Sequence, residues 1–357
     1  MWWHILTQYI TFLFKLVTVF TVIFLFVGCI IMKLTKKRSI KSDKLVIVNL
    51  KTEYDEKKDE LNSQILDSKE YKDLEKTKAK ERKKKASLKK KDQKKSKNKD
   101  LKETLDEKRD SRVFVIDFDG DIEASEADNL RDYITRIINS YKEGDEVLLR
   151  LESPGGMVHG YGFAASQLER LKSRKIKLTI AVDYVAASGG YMMACVADRI
   201  IAAPFAILGS IGVVAEVPNI HKLLKKYDVD VDVMTAGEYK RTVTLMGENT
   251  QKGKEKFQEE LNETHDLFKT FVSKNRPSLN IDKIATGEHW YGIDALSLGL
   301  IDEVSTSDDF ILSLIKDGKS LYHMYYDRKE SFGEKLASNF HLFTNLLFSK
   351  FNKTKLK

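Results

Sequence analysis

Asp183-Tyr184-Val185-Ala186-Ala187-Ser188-Gly189-Gly190-Tyr191-Met192-Met193-Ala194-Cys195 is the stretch that decides the fold. The apolar run before it, Ile176 to Val182, reads as a buried strand, and the small and apolar residues after Ser188 read as a helix. Ser188 falls at the bend between them, with two glycines directly after it. At such a bend a hydroxyl can stand exposed while the helix's first N–H groups, which lack intrahelical acceptors, point at a developing negative charge. A serine that attacks a carbonyl needs both features. The competing structural reading is an N-cap serine ahead of a Gly-Gly turn.

Working upstream, Val113 to Phe118 is an apolar run ending in Asp119-Gly120, a strand and then a turn. Ser125 with Asp128 resembles a capping box for a helix from Glu126 to Ser140, whose Leu130, Ile134, Ile137 and Ile138 share one face. Val147 to Leu151 is the next strand and ends in Glu152-Ser153-Pro154-Gly155-Gly156; a helix from about Tyr161 to Ser173 follows. Strands alternating with helices imply an α/β fold with a mostly parallel sheet, whose site lies at the C-terminal ends of the strands. Both the Ser-Pro-Gly-Gly loop and Ser188 fall at such ends. Downstream, Arg199 to Ala202 and Val229 to Met234 read as strands, Asn219 to Lys226 as a helix, and Thr250 to Ser273 as a long helix with Phe257, Leu261, Leu267, Phe268 and Phe271 as its apolar face.

The flanks have a different character. Tyr9 to Met32 is almost entirely apolar, and Trp2 and Trp3 precede it, which predicts a transmembrane helix. No Ala-x-Ala site follows and the first residues lack positive charge, so a retained anchor is favoured over a cleaved signal peptide. Phe26-Val27-Gly28-Cys29 only faintly resembles a lipoprotein signal. Leu45 to Leu50 reads as a short strand, and from Lys51 to about Arg109 the chain is rich in Lys and Glu with few large apolar residues. No aromatic residue interleaves the lysines of the basic tract Lys76 to Lys102, so a solvated helix or tether is the reading and nucleic acid is not an expected partner. The expected organisation is therefore an anchor with a basic flank over 1–44, a charged linker over 45–110, a catalytic domain over 111–327 and an amphipathic basic tail over 328–357. Net charge is +8, carried unevenly. Cys29 and Cys195 lie in unrelated surroundings, which predicts no disulfide, and the seven histidines are too scattered to hold a metal; no cofactor is expected.

A nucleophilic serine needs a base. His159, His221, His265 and His289 are the histidine candidates. A lysine serves equally if burial lowers its pKa by about three units, which costs roughly 4 kcal/mol. The residues alone leave that choice open.

Ser153-Pro154-Gly155-Gly156, Ala186-Ala187-Ser188-Gly189-Gly190-Tyr191, Gly209-Ser210-Ile211-Gly212-Val213 and Gly237-Glu238-Tyr239-Lys240-Arg241 occur in this order. Together they resemble the signal peptide peptidase A family of membrane-bound serine peptidases. The apolar segment and charged insert ahead of the domain look most like its SohB branch. The resemblance covers Val113 to about Val304 well and the N-terminal segments more loosely. It implies a ClpP/crotonase-like fold of repeated ββα units around a parallel sheet.

For this sequence the resemblance implies Ser188 as nucleophile and Lys240, 52 residues on (240 − 188), as general base. It further implies Ser210 as the residue that orients the lysine, and backbone amides of Gly155 or Gly156 with Gly189 as oxyanion donors. The related caseinolytic proteases carry a histidine after the nucleophilic helix. The corresponding stretch here, Leu208 to Val214, has none, which favours lysine. Arg241 departs from the acidic residue common at that place in the family, and pointing inward it would depress the lysine's pKa further. The resemblance also implies endopeptidase activity on signal-peptide remnants or misfolded and membrane-associated chains, and a homo-oligomer. It implies the bacterial inner membrane, with the catalytic domain on the periplasmic side. The lysines after the apolar run, from Lys33 to Lys44, argue for the opposite side by the positive-inside rule. A catalytically silent scaffold that binds membrane proteins is the alternative.

Overall fold

Residues 2–35, 44–95 and 111–327 are described by the computed structural model, and they fall into two units divided within 46–47 and 325–326. In the first unit, helix α1 runs Trp2–Thr35, 34 residues. Its threonines return their hydroxyls to the backbone one turn earlier: Thr7 to the Trp3 carbonyl, Thr11 to Thr7, Thr18 to Phe14 and Thr21 to Val17. Trp2, Phe14 and Phe20 are exposed. The expected membrane crossing is not borne out, because among the described residues no helix is long and apolar enough to span a bilayer. The stretch with described side chains, from Leu6 to Val22, is interrupted by Gln8, Lys15 and the threonines. The apolar residues after it lie largely outside the described side chains.

β1 (Lys44–Asn49) runs across the boundary at 46–47, and α2 (Leu50–Ile65) and α3 (Ser68–Lys95) follow in the second unit. Asn49 caps α2 through the Thr52 N–H, and Asp67 caps α3 through the amides of Lys69 and Glu70. An ion pair between Lys78 and Asp59 joins the two helices. The segment expected as a tether is thus helical up to Lys95. Its root is docked: Leu50 is buried in the core, and the Tyr54 hydroxyl donates to Asp308.

The apolar run at Val113 becomes β2 (Arg112–Asp119), followed by α4 (Ala127–Ser140), β3 (Glu146–Glu152), α5 (Val158–Lys172) and β4 (Lys177–Val182). After β4 come β5 (Val185–Ala187), α6 (Gly189–Ala194), β6 (Arg199–Ala202), β7 (Ile207–Gly209) and α7 (His221–Lys226). The chain continues through α8 (Gln251–Asn275), α9 (Ile281–Ile284), β8 (His289–Tyr291) and α10 (Gly292–Ser297), and finishes with β9 (Glu303–Val304), α11 (Ser307–Lys316) and β10 (Ser320–Asp327). Seven strands form the main sheet in the order β1-β10-β2-β3-β4-β6-β9, and every pair from β10 to β9 is parallel. β5, β7 and β8 make a small second sheet.

The mixed α/β fold with a parallel-rich sheet follows from the near-continuous apolar strands, which must be covered on both faces. Val113, Val115, Leu148, Ala181 and Leu321 pack beneath Leu50, Ile311 and Leu314 on one side. On the other face α4 packs against α5, with Leu130, Ile134, Ile137, Leu168 and Leu171 all buried.

Three local expectations fail. The capping box does not form: α4 begins after Glu126 with no side-chain cap, because the Ser125 N–H turns back to the Asp121 carboxylate. Val229 to Met234 is not a strand, since no neighbouring strand supplies ladder partners; its residues are almost all exposed. The turn after β4 is itself interrupted by β5, which pairs with β7. The amphipathic tail expected over 328–357 lies outside the described residues, as do Lys36 to Asp43 and residues 96–110.

Candidate active site

The small sheet places Ser188. β5 ends at Ala187, where the Ala187 N–H donates to the Ser153 carbonyl (3.0 Å), and the Ser188 N–H donates to the Gly209 carbonyl (2.8 Å). Held between β3 and β7, Ser188 takes φ 52° and ψ −117°, a conformation that side-chain-bearing residues rarely adopt. It occupies the N-cap position of α6, yet its side chain makes no capping bond. The hydroxyl is therefore not spent on the helix, and the simple N-cap reading loses its support.

The Pro-Gly-Gly loop lies against it. Gly155 has φ +92°, and a Cβ there would come within 2.7 Å of Ser188 Cβ and 2.8 Å of the Gly189 nitrogen. Only glycine allows that approach. The Gly155 N–H donates to Ser153 Oγ (3.1 Å). The N–H groups of Gly156 and Gly189, by contrast, have no acceptor among the described residues. Gly189 begins α6 beneath the ring of Tyr161, which a Cβ would meet at 2.4 Å.

The support of this loop was not legible in the motif. Ser153 is fully buried, its Oγ lies 2.6 Å from Tyr161 Oη, and the Tyr161 hydroxyl donates to the Asp121 carbonyl (2.7 Å). Tyr161 thus links the end of β3 to the turn after β2, and burial raises its pKa, so it stays a neutral donor at physiological pH. The sequence signal was present as Ser153 in the quoted motif, but nothing in the spacing pointed to a tyrosine eight residues away.

Ser188 opens into a cleft of about 630 Å³ that Gly155, Gly156, Gly189 and Ser210 also line. Ser210 is in the left-handed region (φ 51°), with its N–H on the Glu288 carbonyl at 2.7 Å. Apolar side chains, Val158, Met192, Val213 and Phe268, form much of the rest. Of the four histidine candidates only His265 lines the cleft; His159 and His289 are exposed and do not line it, and His221 begins α7. Lys240 is exposed in the segment after α7 and does not line the cleft. Within one chain, then, five of the six expected site residues come together and the lysine does not. Cys195, buried in α6, has its thiol pushed up to about 12 by burial, so it offers no competing nucleophile. Among the described residues no cluster of His, Cys, Asp and Glu suits a metal ion.

A strained, uncapped serine flanked by free amides in an apolar cleft defines a hydrolase-type site. The chain belongs to peptidase family S49: residues 170–321 match that family and residues 4–168 match its N-terminal region. Within the family it falls in the SohB branch and is a peptidase by descent. It is 57% identical over 333 residues to the "Probable protease SohB" of Haemophilus influenzae, covering 93% of this chain and 92% of that one. It is 48% identical to the "Probable protease SohB" of Buchnera aphidicola subsp. Schlechtendalia chinensis, over 86% of this chain and 98% of the relative. Among solved structures, the 1510-N membrane-bound stomatin-specific protease superposes with a TM-score of 0.39 at 16% identity, over 58% of this chain and 85% of that one.

Proposed function

We propose that the protein is a membrane-attached serine endopeptidase in which Ser188 is the nucleophile and Lys240 the general base. The observation that carries it is the strained Ser188 with an unspent hydroxyl beside the Gly155–Gly156 loop and the Gly189 amide. In this reading the Lys240 amine takes the hydroxyl proton as Ser188 Oγ attacks the peptide carbonyl. The oxyanion is received by the N–H groups of Gly156 and Gly189. The lysine then returns the proton to the departing amine, and the resulting ester is hydrolysed by water activated by the same lysine. Ser210 orients the amine. Repeated ββα units of the ClpP/crotonase type suit this arrangement, as β4, β5 and α6 place the nucleophile between two sheets.

Because Lys240 stands outside its own chain's cleft, the reading includes a homo-oligomer in which a second copy brings the lysine to Ser188. Val214, Tyr227 and Met234, in the same stretch as Lys240, are exposed apolar residues that a neighbouring copy would cover. The apolar cleft favours extended substrates with an apolar side chain at the cleaved bond, such as signal-peptide remnants or misfolded membrane-associated chains. Attachment to the membrane would be through α1, whose apolar side chains are exposed and whose threonine hydroxyls are already satisfied. A periplasmic face for the catalytic unit completes the proposal.

The test is cleavage of a quenched casein or apolar peptide by the full chain, comparing wild type with Ser188→Ala and Lys240→Ala. Loss of activity in both folded variants upholds the pair. Retention in Lys240→Ala transfers the base to another residue. A wild type inert as an assembled oligomer favours the second reading, a silent scaffold, to which the absence of Lys240 from the cleft lining lends its one support.

A further inference from the structure

We infer that His265, on α8, is a positioning residue for the peptidase site: it holds the Gly209–Gly212 turn, and with it Ser210, in the shape the cleft requires. The inference rests on the serine-peptidase reading given above.

That turn is held against its own preference. Gly209 (φ +96°) and Ser210 (φ +51°) are consecutive left-handed residues, and the second carries a side chain. Such a backbone persists only where surrounding contacts over-determine it. Four hydrogen bonds do so here. The Gly209 carbonyl accepts from Ser188 N–H (2.8 Å), the Ser210 N–H donates to the Glu288 carbonyl (2.7 Å), and the Gly212 N–H closes on the Ser210 carbonyl (2.9 Å). These three are main-chain bonds, open to almost any sequence. The fourth comes from a side chain: His265 Nε2 lies 3.1 Å from the Ile211 carbonyl, 54 residues away in sequence. Ile211 itself is fully buried, so this carbonyl cannot swing outward without dragging a core residue.

The bond also fixes what His265 can do. A carbonyl only accepts, so the proton must sit on Nε2. An imidazole already donating from Nε2 cannot take the Ser188 proton at that nitrogen. His265 lines the cleft with its Nε2 committed to the Ile211 carbonyl, and it reaches Ser188 through the Gly209–Ser210 backbone. A glutamine can present an N–H at similar reach; an alanine cannot.

Two readouts test this on the full-length protein, with His265→Ala and His265→Gln beside wild type. Backbone hydrogen exchange across residues 209–214 reads the turn directly and needs no activity. It should quicken about tenfold in His265→Ala, the value of one net hydrogen bond, and return to the wild-type rate in His265→Gln. Turnover of a quenched apolar peptide should show kcat down about tenfold with KM unchanged in His265→Ala, and substantial recovery in His265→Gln. Unaltered exchange in His265→Ala overturns the inference, as does a glutamine variant that behaves like alanine. A His265→Ala as inactive as Ser188→Ala, with undisturbed exchange, would make the histidine the base. If wild type cleaves nothing while the exchange pattern holds, the peptidase reading fails and the hold on the turn stands.

Discussion

Ser188, Gly155 and Tyr161 show how little freedom the site leaves to single residues. Gly155→Ala would push a methyl group to within 2.7 Å of Ser188 Cβ, in a backbone conformation that already disfavours any side chain. By displacing the neighbouring Gly156 N–H, the change should lower peptidase activity about a hundredfold, the order lost when one oxyanion donor is removed. A variant retaining near-normal kcat would show that the loop does not form the site. Tyr161→Phe is gentler. It removes the hydroxyl shared with Ser153 and Asp121, and thermal unfolding should report a loss of about 1–2 kcal/mol. If the loop is held through this link, kcat should fall as well, with the fold intact by circular dichroism.

At the scale of elements, β2, β3 and β10 are clamped by charge as well as by their ladders. Asp117 faces Arg150 across the β2–β3 register, with Arg150 Nε at 2.6 Å and Nη2 at 2.8 Å, and His323 Nε2 of β10 lies 2.9 Å away. Burial works to raise the Asp117 pKa, but the bonds from His323 and Arg150 outweigh it and bring it from the ordinary 3.8 to about 2. The sign follows: a carboxylate whose pKa is lower when folded stabilises the fold fully above pH 4, and that contribution is lost as pH falls toward 2. The carboxylate is 45% exposed, so solvent screens much of the effect. Asp117→Asn should lower Tm modestly at neutral pH, where the carboxylate contributes fully, and flatten the fall in Tm between about pH 4 and 2, so that the two proteins converge near pH 2. An unchanged acid limb would mean that other carboxylates dominate it. The two helices α2 and α3 teach a different lesson at this scale. Their composition read as a tether, yet Leu50 and Tyr54 anchor the first turn of α2 to the core.

At the scale of the whole molecule the decisive prediction concerns Lys240. If a neighbouring copy supplies the base, Ser188→Ala and Lys240→Ala chains are each inactive alone. Mixed and reassembled, they should regain part of the activity, since some sites then combine an intact serine with an intact lysine. No recovery, with mixed oligomers demonstrated by sedimentation, would confine the dyad to one chain. Attachment through α1 predicts that the full chain floats with lipid vesicles and that a chain lacking residues 1–43 stays in the aqueous fraction.

The sequence by itself determined the alternation of strands and helices, the parallel sheet and the position of Ser188 at a strand-to-helix bend. Each of these rests on local periodicity and on glycines that only certain backbones need. It also placed Gly155, Gly156, Gly189 and Ser210 in ordered motifs that the fold does bring to one cleft. What it could not reach were contacts between residues distant in the chain: Tyr161 under the Ser153 loop, His265 on the Ile211 carbonyl, and Leu50 in the core. Nor could spacing reveal that Lys240 is exposed and does not line the cleft of Ser188. Those depend on how helices and loops pack over the sheet, which is a property of the folded surface and not of any segment read alone.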